Sequence, residues 1–143
     1  MKYSTDEQKI IERQIGNFVA KKYACEYFEN PNVFGVVDGL FTRHKKIHCL
    51  IEIKNRDVSF EKFPWYMIDK AKADKAWDAA KKLDVGLTLI YQFVDGVFCF
   101  SFPMDKDPSR HYDSEISGRT VDTRDENDID EVYKLPKGDW KKL

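Results

Sequence analysis

Apolar side chains recur at Ile11, Ile15, Phe18 and Val19 within residues 5–22, the spacing that lines one face of an α-helix. Asp6 and Glu7 fall in its first turn and Ser4 or Thr5 stands where a cap belongs, so a helix is predicted there, with Glu12 at the edge of the apolar stripe. Residues 23–28 are short and aromatic and read as a strand ending at Asn30-Pro31. Residues 33–42 and 47–54 are two β-branched and aromatic runs joined by Arg43-His44-Lys45-Lys46, which predicts an antiparallel hairpin. After a loop ending at Pro64, residues 65–83 read as a second helix, and 86–93 and 97–102 as strands around the turn Asp95-Gly96, with Pro103 as the stop.

From Met104 the chain turns polar: 105–109 reads as a loop, 122–130 is strongly acidic, and only 129–135 has a strand pattern. No repeat is present. The expectation is therefore a core over residues 1–103 and an extension over 104–143 packed on it. The element order implies an α/β domain with a small mixed sheet flanked by helices. At 143 residues, with 42% hydrophobic and 14% aromatic residues, the chain is large enough to bury a core without disulfides.

The N-terminal residues lack the apolar stretch of a signal peptide, and no window has the apolar length of a membrane span, so a soluble intracellular protein is expected. Cys25, Cys49 and Cys99 are odd in number and widely spaced, which argues for reduced core thiols over a disulfide framework or zinc site. A formal net charge of -1 excludes binding through a broad basic face; any phosphate contacts must be local.

A charged chain of this length contains about two or three acid-x-Lys triplets by chance, and this one has Glu7-Gln8-Lys9, Glu52-Ile53-Lys54 and Asp139-Trp140-Lys141. Only the second lies in an apolar strand. Alternation there puts Leu50, Glu52 and Lys54 on one face and Ile51 and Ile53 on the other. With the hairpin turn centred on Lys45, residues whose numbers sum to ninety face each other, and Asp38 stands opposite Glu52. Two carboxylates that close repel unless a proton or cation lies between them, which is how a divalent metal is held.

Plainer readings exist for each residue. Glu52 and Lys54 could be a cross-strand ion pair, Asp38 a turn residue before Gly39, and Glu12 a solvated helix-edge acid. His44 and His48 flank the hairpin tip, away from Asp38 and Glu52, and read as a solvated turn. Arg56 and Lys62 lie beyond the metal-binding end of the strand, where they could meet phosphates or serve as surface charge. The three tryptophans read as packing residues. In the second helix an apolar arc runs through Trp65, Ile68, Ala76, Ala79 and Leu83, with Lys72 near its middle, Lys70 pointing the other way and Lys75 on the border. An ammonium there needs an acidic partner, and Glu52 is the nearest on offer.

Val37-Asp38 followed by Glu52-Ile53-Lys54 resembles the signature of the PD-(D/E)XK nucleases, with Val37 in place of the proline. The order helix, three strands, helix, strand is similar to their restriction-endonuclease-like core over about residues 5–102. Glu12-Arg13 resembles the Glu-Arg pair of Holliday-junction resolvases, and Phe63-Pro64-Trp65-Tyr66 before a lysine-bearing helix is similar to small phage-type endonucleases. The resemblance implies a Mg²⁺- or Mn²⁺-dependent DNA endonuclease. In it Asp38, Glu52 and the Ile53 carbonyl hold the metal, Lys54 orients or activates water, Glu12 joins the site, and Lys72 is an accessory lysine. It further implies DNA as partner, a homodimer where two strands are cut symmetrically, and a cytoplasmic location, the host's for a phage protein. The competing reading is a nuclease-fold module that binds DNA or protein without cutting.

Overall fold

The computed structural model describes residues 6–31, 36–118 and 129–143. The expected caps Ser4 and Thr5, residues 33–35 of the expected second strand and most of the acidic stretch 122–130 lie outside them.

Helix α1 (Asp6–Lys22) buries Ile15, Gly16, Val19 and Ala20. Of the expected stripe Ile15 and Val19 are buried and Ile11 is half-buried, but Phe18 is 48% exposed, its ring lying under the Lys22 ammonium. Six strands form the main sheet: β1 (Glu26–Glu29), β2 (Gly39–Arg43), β3 (Lys46–Asn55), β5 (Gly86–Phe93), β6 (Gly96–Ser101) and β9 (Lys141–Lys142), side by side in that order. β3 and β5 are parallel, the others antiparallel, so the sheet is mixed. Helix α2 (Lys70–Leu83) crosses from β4 (Trp65–Asp69) to β5.

Strand alternation divides the core in two. Phe41, Cys49, Ile51, Ile53, Ile90 and Cys99 pack under α1. The opposite face, with Leu50, Leu87, Leu89, Tyr91, Phe93, Phe98 and Phe100, meets the alanine stripe of α2 and a group of aromatics that includes Phe60, Tyr66 and Trp140. All three cysteines are free, with Cys49 and Cys99 buried.

The hairpin differs from expectation in one instructive way. Its tip is the two-residue turn His44-Lys45, both with positive φ (52° and 64°), the twist that suits a tight hairpin. Near the tip, partners sum to eighty-nine (Thr42↔Ile47, Arg43↔Lys46), so the turn is not centred on Lys45. A bulge then makes His48 an extra residue, and from Phe41↔Cys49 through Leu40↔Leu50 to Gly39↔Ile51 the sum is ninety.

The second expected helix starts five residues late. Residues 65–69 are β4, alternating exposed Trp65 and Met67 with buried Tyr66 and Ile68, and it pairs antiparallel with β8 (Ile129–Pro136). Trp65 and Ile68 are thus strand residues, not members of a helical arc. The helix begins only after Asp69, whose carboxylate accepts the Lys72 backbone N–H at 3.0 Å, a short-side-chain cap that aromatic and β-branched residues before it cannot provide.

Beyond Pro103 the structure holds more than the one strand expected. A short helix α3 (Pro108–His111) precedes β7 (Ser114–Gly118), which pairs with β8; β4, β8 and β7 make a second, three-stranded sheet, while β9 extends the edge of the first. Tyr133 and Leu135 of β8 are fully buried in the aromatic core.

Candidate active site

The site forms where β2 ends against β3. Gly39↔Ile51 is the last pair, so Asp38, one residue earlier, stands level with Glu52. Asp38 lies just outside the strand in which it was expected, held from three sides. Its N–H donates to the Ile51 carbonyl (3.1 Å), its carbonyl accepts from Asn30 N–H (2.8 Å), and its Oδ2 accepts the Ile53 N–H (2.7 Å). The N–H and C=O of one extended residue point to the same strand edge. The Ile53 carbonyl therefore faces the edge where pairing with β2 has stopped.

Glu52 is 1% exposed and is the only charged residue in the described core. Oε2 lies 2.9 Å from Lys72 Nζ, its one close polar partner among the described residues, while Oε1 has none. Burial, then the Asp38 charge, raises the Glu52 pKa against the pull of Lys72 and Lys54. Burying a carboxylate so sparsely partnered costs several kcal/mol, about the scale at which a bound cation would repay it.

Lys54 sits two residues on, on the same face. Burial and then the neighbouring Lys72 ammonium lower its pKa, with Glu52 and Asp38 opposing. For Lys72, burial alone would lower the pKa, but Glu52, Asp38 and Glu12 outweigh it and the net direction is up. Two lysines beside one acid thus divide: one is pushed toward neutrality, the other held as a cation. Lys70 points elsewhere, pairing with Asp74 at 3.1 Å, as expected, and Lys75 is exposed.

Glu12 is half-buried on α1. Its carboxyl is raised to about 7 by burial and then by Asp38, with smaller effects of Lys54, Glu52 and Lys72. A solvated helix-edge acid would show no such coupling. Arg13 turns away to Glu29, at 2.8 Å. Among the described residues no three His, Cys, Asp or Glu side chains converge as a ready-made metal cage, so the carboxylates closest to ligand geometry are Asp38 and Glu52, with Glu12 outside them.

Arg56 is exposed just past β3, its guanidinium 5.9 Å from the Tyr91 ring centroid and close enough to Lys54 to lower its pKa. Lys62 lies on a 3-10 turn (Phe60–Lys62) with its ammonium over the Phe63 ring at 5.6 Å; nothing ties it to the cluster. His44 and His48 are exposed at the far end of β3. Sequence reasoning missed Tyr91, the register partner of Lys54 on β5, whose hydroxyl donates to the Met67 carbonyl at 3.3 Å. No hairpin links β3 to β5, so no count of residues along the chain gives that register.

The residues suit a hard divalent cation: two carboxylates level with each other, one buried with an oxygen left unpartnered, and a strand carbonyl on the same edge. A mixed sheet between α1 and α2, carrying Asp38 and Glu52-x-Lys54 where β2 ends, defines the PD-(D/E)XK class of nuclease folds. The chain belongs to the family whose model is described as "Phage putative PDDEXK endonuclease", matched over residues 1–143. Among solved structures it is similar to the Holliday junction resolvase Hjc of Archaeoglobus fulgidus, an archaeal hyperthermophile. The TM-score is 0.55 at 10% identity, over 92% of this chain and 85% of that one, a likeness of fold alone. No curated protein matches it in sequence. Among the described residues no helix is long and apolar enough to cross a membrane.

Proposed function

We propose that this protein is a divalent-metal-dependent DNA endonuclease of resolvase-like type. The observation that carries the reading is Glu52: a carboxylate 1% exposed, partnered on one oxygen by the partly exposed Lys72, on the same face as Lys54 and level with Asp38. A core built only for stability would place an apolar residue there.

Asp38, Glu52 and the Ile53 carbonyl would hold Mg²⁺ or Mn²⁺, whose charge offsets that of the phosphate and acidifies bound water. Lys54, with its pKa lowered, takes or shares a proton of the attacking water. Lys72 remains an ammonium, balances Glu52 and faces the developing charge on the phosphate oxygens. Glu12 adds a third acid whose ionisation adjusts the field at Asp38. Arg56 meets a flanking phosphate at the strand's end, and Lys62 a more distant one. In this reading residues 1–103 carry the chemistry, residues 104–143 pack as an extension on them, and two copies act together where both strands are cut symmetrically. The setting is the cytoplasm of a phage's host.

The test is cleavage of supercoiled plasmid and of a synthetic four-way junction with Mg²⁺, Mn²⁺, Ca²⁺ or EDTA. Cleavage with Mg²⁺ or Mn²⁺ alone is expected. DNA binding without cleavage under every ion would instead make the protein a nuclease-fold binding module.

A further inference from the structure

Tyr27 lies between the two elements that bring Glu12 and Asp38 to the site. It occupies β1 opposite Phe41, and its ring meets Phe41 edge-on, centroids 6.0 Å apart. Gly39 and Phe41 share a sheet face, two residues apart on β2, and α1 covers that face. The ring is therefore pressed between helix and sheet, and both contacts are with glycine. A Cβ at Gly16 of α1 would stand 2.6 Å from Tyr27 Cδ2. A Cβ at Gly39 would stand 2.5 Å from the Phe28 carbonyl oxygen, 2.6 Å from Tyr27 Cε1 and 2.7 Å from its hydroxyl oxygen. No side chain fits at either position without moving the ring or the backbone.

Gly16 is one helical turn past Glu12, and Gly39 follows Asp38 directly. The Tyr27 hydroxyl donates to the Asp38 carbonyl at 3.4 Å, a long bond beside the shorter one from Asn30 N–H at 2.8 Å. The thickness of one aromatic ring thus sets the gap between the turn of α1 that follows Glu12 and the backbone that carries Asp38. Leucine or phenylalanine could fill the same volume. Only a phenol fills it and also reaches the Asp38 carbonyl.

We propose that Tyr27 is a positioning residue of the nuclease site: a wedge seated on Gly16 and Gly39 that fixes the spacing of Glu12 and Asp38 and orients the Asp38 peptide. The proposal rests on the endonuclease reading for its functional meaning, but its geometry can be tested without it. Ile53 N–H donates to Asp38 Oδ2, so the Ile53 amide resonance reports where that carboxylate sits, with or without metal.

The experiment compares wild type, Tyr27→Phe, Gly16→Ala and the double variant Gly16→Ala/Tyr27→Val by amide NMR, Mn²⁺ calorimetry and thermal melting. Tyr27→Phe keeps the ring and is expected to shift the Ile53 amide while sparing Ile90 in the sheet centre, and to weaken Mn²⁺ binding by about three- to tenfold, the scale of one neutral hydrogen bond. Gly16→Ala is expected to lower both melting temperature and Mn²⁺ affinity. In the double variant the clash is relieved, so the melting temperature recovers toward wild type while Mn²⁺ affinity does not. A merely structural ring predicts that affinity follows stability back up, and that outcome overturns the proposal. So does an unmoved Ile53 amide in both Tyr27→Phe and Gly16→Ala. A wild type that binds no Mn²⁺, with the Ile53 amide still responding, refutes the metal reading and leaves the wedge standing.

Discussion

Lys72 Nζ lies 2.9 Å from Glu52 Oε2, joining the first turn of α2 to β3. The acid is fully buried while the lysine keeps about a third of its side chain exposed. The pair is therefore not a closed internal salt bridge but an acid whose ion-pair partner opens toward solvent.

Lys72→Ala should lower cleavage by about ten- to a hundredfold, the scale of losing one preorganised charge at a phosphate. Lys70→Ala, which removes the surface pair with Asp74 and the contact with the Tyr133 ring, should stay within about twofold, since solvent-screened pairs of this kind contribute little. Single-turnover rates on one DNA substrate check both. Equal losses in the two variants would remove Lys72 from the site.

Asp38→Asn and Glu52→Gln should each cut the rate by about a hundredfold or more, because a near-isosteric amide cannot supply ligand charge. Their effects on stability should differ. Glu52→Gln replaces a buried carboxylate whose pKa is raised and should melt no lower than wild type at pH 8 in EDTA. Asp38→Asn weakens the charged acceptor of the Ile53 N–H and should melt lower, by a few degrees at about 1 kcal/mol. Calorimetric melts in EDTA decide this.

Glu12 gives a pH signature. Its folded-state pKa is raised from 4.5 to about 7, so between those values the folded chain binds more protons there than the unfolded chain, and stability falls as pH rises through that window. Glu12→Gln holds the neutral form throughout. The melting-temperature difference, variant minus wild type, should therefore grow from pH 4.5 to 7 and level off above, in EDTA. Cleavage at pH 8 should fall in the same variant. A flat difference across the window would return Glu12 to solvent.

The apolar arc expected of α2 is met only in part, since Leu83 is exposed and the buried stripe is Ala73, Ala76 and Ala80. The part of the candidate site on β3 was legible in the sequence, because alternation alone puts Glu52 and Lys54 together. The start of α2 was not. Trp65, Tyr66, Met67 and Ile68 satisfy a helical arc as well as a strand, and the partner that decides between them, β8, lies some sixty residues further on. β7 was missed for a related reason: Ser114-Glu115-Ile116-Ser117 carries little apolar signal and depends on β8 for its pairing. Asp38 opposite Glu52 was reached by counting from a turn centre that is one residue out in the sum, and the bulge at His48 restored the count.

That bulge also divides the hairpin into two registers. On the tip side, His44, Lys45 and their neighbours obey one register; on the site side, Gly39 and Ile51 obey another, and the slack is taken up at a single exposed histidine. With the extra residue accommodated at His48, Glu52 and Lys54 keep the face that a one-residue slip of the strand would reverse.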